Sequence, residues 1–149
     1  MKAKYVLISA ILAIFSSIAV AGLVLPAPVF IGINVDDSSG FAQGNMWTAR
    51  TADNNVEFIG CGTRVIELDG GGFFFFGFCQ AVDADDTPAF CSTQNQDLLD
   101  AMKSTSDFSF ITFNWDDAGE CTRIGFSTQS FYLPNFKIQK DKGGGDDDE

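Results

Sequence analysis

Histidine does not occur anywhere in the 149 residues. Its absence excludes Ser-His-Asp and Cys-His nucleophile systems, imidazole proton shuttles and most catalytic zinc sites. No Ser-x-x-Lys spacing occurs, so the serine–lysine acyl-transfer signature is missing too. Positive charge is scarce: nine lysines and arginines stand against twenty acids, a formal net charge of −11. Nucleic acid and anionic membrane surfaces would repel such a chain. Gly70-Gly71-Gly72 run into a strand-like stretch rather than a helix, so they read as a turn and not as a phosphate cradle.

What is present begins with an address. Lys2 and Lys4, the apolar run Tyr5 to Phe15, and Ala19-Val20-Ala21 match the three parts of a secretory signal peptide over residues 1–21. The apolar run is shorter than the roughly 20 residues that span a bilayer. Cleavage after Ala21 would take two lysines and no acid, so the net charge of −11 becomes −13. The expected location is secreted or periplasmic, with no membrane association after signal removal. Cys61, Cys79, Cys91 and Cys121 then read as two disulfides, because no Cys-x-x-Cys pair supports zinc.

Residues 22–43 form an apolar N-terminal segment in which Val29 to Val35 alternate as a strand, Pro26 and Pro28 preceding it. Gly44–Arg50 and Asn55–Cys61 read as a hairpin about Ala52-Asp53-Asn54. Val65–Leu68 and Phe73–Val82 read as another about Asp69-Gly70-Gly71-Gly72, which places Cys61 opposite Cys79. Phe73-Phe74-Phe75-Phe76 puts aromatics on both faces of its strand, implying cover on both sides or an aggregation-prone edge. Thr93–Lys103 has helical periodicity, with Thr93 or Asn95 as cap and Leu98, Leu99 and Met102 on one face. Residues 134–149 hold too little apolar surface to order themselves and read as a disordered acidic tail.

The strongest strand signal is Phe108 to Leu133, two aromatic and β-branched arms joined by Asp116-Asp117-Ala118-Gly119. Folded with Asp116 facing Glu120, it sets Trp115 opposite Cys121, Phe113 opposite Arg123 and Phe110 opposite Phe126. Phe108, Phe110, Ile124 and Phe126 then share one face, and Ile111, Phe113, Trp115 and Cys121 the other. Together with Ile59-Gly60-Cys61, the run Phe113-Asn114-Trp115-Asp116…Gly119-Glu120-Cys121-Thr122 resembles small exported bacterial proteins of unassigned function that share an F-x-W-D-x-x-G-x-C-T hairpin. The likeness covers roughly Gly44 to Leu133 and implies fold and address, with no activity, substrate or site attached.

The expected fold is therefore mainly β (α+β). A curved antiparallel sheet, or a small sandwich or barrel-like meander, carries one short helix and two disulfides across residues 44–133. Cys61–Cys79 with Cys91–Cys121 is the favoured pairing. Cys79–Cys91 with Cys61–Cys121 is the rival, since Asp85 can centre a further hairpin. Asp83, Asp85 and Asp86 invite calcium, but Pro88 and Gln94 stand where an EF-hand needs glycine and glutamate. A plain acidic loop is the preferred reading. Carboxylates are the only catalytic material in quantity; a pair among Glu57, Glu67 and Glu120, in or beside strands, could in principle hydrolyse a glycosidic bond, but acids on strands are usually the solvated face. Arg123, opposite Phe113, reads as stacked on a ring or paired with a neighbouring acid rather than as a ligand contact, and Trp47 and Trp115 as core rather than a carbohydrate platform. No catalytic residue, cofactor or metal is assigned. The function expected by elimination is an exported, non-enzymatic binding or structural protein, with an envelope or extracellular partner or a second copy of itself. The alternatives are a fibre or envelope subunit that uses residues 22–35 for strand addition, and a carboxylate-dependent hydrolase.

Overall fold

The computed structural model describes residues 22–134. The signal segment 1–21 and all but the first residue of the acidic tail lie outside the described residues. Seven strands form two antiparallel, unclosed sheets. The first takes β1 (Phe30–Ile33), β2 (Gly40–Asn45), β6 (Phe110–Trp115) and β7 (Cys121–Ser127) in the order β1-β2-β6-β7. The second takes β3 (Phe58–Glu67), β4 (Phe73–Val82) and β5 (Pro88–Thr93) in sequence order. Two short helices, α1 (Met46–Arg50) and α2 (Gln96–Lys103), and a 3-10 turn at Ser130–Tyr132 complete the described chain. Among the described residues no helix is long and apolar enough to cross a membrane.

The inner faces of the two sheets share one core. β6 alternates half-buried and buried along its length, sending Ile111, Phe113 and Trp115 inward. Opposite them on β2 stand Gly44, Ala42 and Gly40, so large side chains sit over small ones. From the second sheet come Ile59, Cys79, Ala81, Ala89 and Cys91. Burying Phe113 alone stabilises the fold by about 1.5–3 kcal/mol relative to its exposure. The Trp115 indole Nε1 donates to the Ser38 carbonyl at 2.8 Å, which satisfies the ring's one polar atom.

Two disulfides tie this core. Cys61 bonds Cys79 across β3 and β4, and Cys91 bonds Cys121 between the sheets. The β3–β4 register sets Cys61 opposite Cys79, as the glycine turn requires.

The central hairpin departs from its expected register. Gly119 has φ of 77° and its turn closes as the sequence implies, with Trp115 opposite Cys121. Thr122 is then an extra residue, and beyond it Arg123 pairs with Asn114, Ile124 with Phe113 and Phe126 with Ile111. This bulge moves Ile124 and Phe126 onto the inward face and leaves Arg123 exposed. The expected placement of Arg123 opposite Phe113 is therefore overturned. Without the bulge a guanidinium would face the fully buried Phe113.

The hairpin expected from Gly44–Arg50 with Asn55–Cys61 does not form. Asn45 ends β2 and caps α1, its Oδ1 accepting from the Thr48 amide at 2.9 Å, while its Nδ2 donates to the Phe108 carbonyl at 3.0 Å. Capping by a buried asparagine outweighs the strand preference of the single Trp47. The expected helix Thr93–Lys103 is shorter at its start. Thr93 ends β5, and Asn95 caps α2 by accepting from the Asp97 and Leu98 amides at 2.9 and 3.3 Å. Leu99 and Met102 of α2 seat against Gly77, where any side chain would collide with them. β2 runs across the boundary expected at residue 43, which joins the N-terminal segment to the same sheet as β6.

Candidate functional site

The second sheet presents an outer face with no cover among the described residues. In β3, β4 and β5 the odd-numbered residues point into the core, so the even-numbered ones form the outer face. Phe74, Phe76, Phe78 and Phe90 make a continuous row there, with successive ring centroids 5.7, 6.3 and 6.4 Å apart. Arg64 lies over Phe78 at 4.8 Å, and Phe90 is 58% exposed. Gly60 on β3 leaves open space beside the row, since a Cβ there would meet nothing.

The distal end of the β3–β4 hairpin is apolar on both faces. β5 pairs with β4 only as far as Gly77, so the four pairs from Arg64–Phe76 to Glu67–Phe73 extend beyond the third strand. That overhang is about 13 Å at strand rise, before the turn itself. On its inward side Phe73 and Phe75 pack against each other at 6.4 Å and remain 62% and 50% exposed. Among the described residues β3 is a sheet edge, with no strand paired to its outer side. Of the two arrangements expected for the phenylalanine run, cover on both sides does not hold; β4 is the middle strand of its sheet, but over Phe73–Phe76 it runs past β5 and its second edge is open.

A separate groove of about 560 Å³ opens between α1 and the start of β3, with Trp47, Arg50, Glu57, Phe58 and Phe108 among its lining. The Trp47 and Phe108 rings meet edge-on at 5.9 Å. Phe108 has φ of 62°, the left-handed region uncommon for a bulky residue, and its carbonyl is held there by Asn45.

The other residues singled out by sequence are dispersed. Glu57 is a structural acceptor, its Oε1 taking the Val29 amide at 2.7 Å and its Oε2 the Asn54 side chain at 3.1 Å. Glu57 and Glu67 flank opposite ends of ten-residue β3, roughly 30 Å apart at strand rise. Glu120 lines a different groove beside Phe90 and Gln94. Glu57 and Glu67 are therefore too far apart to act on one glycosidic bond, which needs its two carboxyls within about 10 Å of each other. Asp83 organises the β4–β5 turn, its Oδ1 accepting from the Asp85 and Thr87 amides at 3.0 and 2.9 Å. Asp85 and Asp86 sit exposed in that turn. Trp47 lines the groove, whereas Trp115 is in the core, so the two do not form a platform.

Among the described residues, Cys79, Cys91 and Cys121 alone bring three metal-ligating side chains together, with Sγ atoms within 4.8 Å of one another. All are in disulfides, so they offer no thiolate to a metal. No protein-family model, curated protein or solved structure matches the chain. The outward direction of Phe74, Phe76, Phe78 and Phe90 leaves little trace in the sequence. The unbroken aromatic run Phe73–Phe76, which lacks the alternation of a half-buried strand, was its one signal.

Proposed function

We propose that this is an exported, non-enzymatic binding protein that captures an apolar protein partner of the envelope on the aromatic face and overhang of β3 and β4. The supporting observation is the row Phe74, Phe76, Phe78 and Phe90, continuous and uncovered in a chain of net charge −11. Contiguous apolar patches mark interaction surfaces, and aromatic rings are the side chains that dominate binding energy. The acidic balance argues against a polyanionic partner. Two disulfides suit an oxidising compartment, in keeping with a secreted or periplasmic location.

A photoreactive phenylalanine analogue at position 74 or 90 tests this in the native cell. One partner protein crosslinked from both positions, absent from position 122 on β7 and lost with Phe76→Ser, is the expected result. Indiscriminate crosslinking from all three positions would sink the assignment. A crosslinked dimer of the chain itself would replace it with self-assembly, for which β3 is an unpaired ten-residue edge. Turnover of a glycan or peptide that disappears in Glu57→Gln, Glu67→Gln or Glu120→Gln would replace it with hydrolysis.

A further inference from the structure

The two disulfides are neighbours in one layer of the core. Cys61, Cys79 and Cys91 stand abreast on β3, β4 and β5, with Cys79 the register partner of both others. The Sγ atoms of Cys79, Cys91 and Cys121 all lie within 4.8 Å of one another. Access to the cluster is uneven: Cys79 and Cys91 are fully buried and Cys121 is 5% exposed, whereas Cys61, on the edge strand, is only half-buried.

We infer that the two bridges are chemically coupled, so that a small dithiol attacking Cys61 opens the buried Cys91–Cys121 bridge that it does not itself reach. A thiolate of the dithiol attacks Cys61 Sγ, forms a mixed disulfide there and expels Cys79 as a thiolate. Buried beside the second bridge, the Cys79 thiolate attacks Cys91 Sγ, so a Cys79–Cys91 bond forms and Cys121 leaves as a thiolate. The second thiol of the reductant resolves the mixed disulfide, leaving as a cyclic disulfide and freeing Cys61. The dithiol loses two electrons and two protons, and the protons end on Cys61 and Cys121. Cys91 is the favoured target because it faces Cys79 across adjacent strands, the same relation that Cys61 has to Cys79.

The consequence is mechanical. The bond between the sheets is exchanged for one within the second sheet, so a single two-electron reduction at the edge strand removes the covalent tie between β5 and β7 and leaves only the backbone bridge of Ser92 with Gly119 and Glu120. No full reduction of the protein is required.

The test is limited reduction of the purified oxidised protein with one equivalent of dithiothreitol, near pH 8 where thiolates are populated, then iodoacetamide and non-reducing peptide mapping. The expected product carries alkyl groups on Cys61 and Cys121, appearing together, and a Cys79–Cys91 bond. Alkylated Cys61 and Cys79 beside an intact Cys91–Cys121 bond would overturn the coupling. A Cys79–Cys121 bond would overturn the release of the sheets. A second measurement uses Cys61→Ser/Cys79→Ser, checked for native near-ultraviolet circular dichroism, in which no relay thiol exists. Labelling of Cys121 should slow at least tenfold there, and an unchanged rate would equally overturn the proposal.

Discussion

The β6–β7 and β3–β4 hairpins are similar in sequence and opposite in fate. Both are aromatic-rich, both turn on glycine, and both contain disulfide cysteines, although Cys121 ties β7 to β5 whereas Cys61–Cys79 closes β3–β4 on itself. β6 is flanked along its whole length by β2 and β7, and its alternating pattern sends Ile111, Phe113 and Trp115 into the core. β4 is flanked by β5 only from Gly77 onward, and its unbroken phenylalanine run projects rings to both sides of an overhang. Aromatic content alone therefore does not mark a core strand; alternation together with neighbours on both edges does.

The largest expected break in that contrast is Phe113→Ala, which should cost about 3–5 kcal/mol through lost burial and the cavity left behind. Phe73→Ala at the overhang should stay within about 0.5 kcal/mol. Guanidinium unfolding of the two variants side by side measures this, and equal losses would erase the distinction between the hairpins. Next comes the tie between the sheets: Cys91→Ser/Cys121→Ser should lose about 2–4 kcal/mol in the same assay. Asn45→Ala removes the α1 cap and leaves the Phe108 carbonyl without its side-chain donor, at about 1–2 kcal/mol. A melting temperature unchanged by that substitution would show that the groove end of β6 is held by something other than Asn45.

The smallest effect lies on the exposed face of helix α2. Lys103 donates to the Asp100 carboxylate at 2.9 Å and Gln96 at 2.8 Å, which together hold its pKa below the ordinary aspartate range. A carboxyl depressed in the folded state stabilises above its unfolded pKa, and that contribution is lost as pH falls through the folded value. Stability should therefore decline slightly on acidification below the ordinary aspartate range, and Asp100→Asn should flatten that part of the curve. At so exposed a site the difference is small, and acid titration of wild type against variant by NMR reads it directly.

Local chemistry made a good part of the fold legible. The Gly70–Gly72 turn predicts the β3–β4 register and hence Cys61 opposite Cys79, because a period of two carries pairing outward from a defined turn. The Asn95 cap and the Leu99–Met102 stripe predict α2, and Gly119 predicts the closing turn of the central hairpin. The misreadings share a cause. Helix α1 is only five residues long, and its existence depends on Asn45, whose amide reaches Phe108 across 63 residues. The bulge at Thr122 similarly depends on which face of β7 meets the core, a contact made with distant strands.

The same division applies to the site. The lack of histidine, the acidic balance, the turns and the run of four consecutive phenylalanines can all be read from residue order alone. Those are properties of residue type and near neighbours, and they survive any arrangement of the rest. Tertiary structure alone decided which phenylalanines are left without cover, that Glu57 is a structural acceptor far from Glu67, and that four sulfurs gather in one layer. Each of these depends on where β5 stops, where β2 ends and how two sheets face each other, and such long-range contacts leave no periodic trace in the chain.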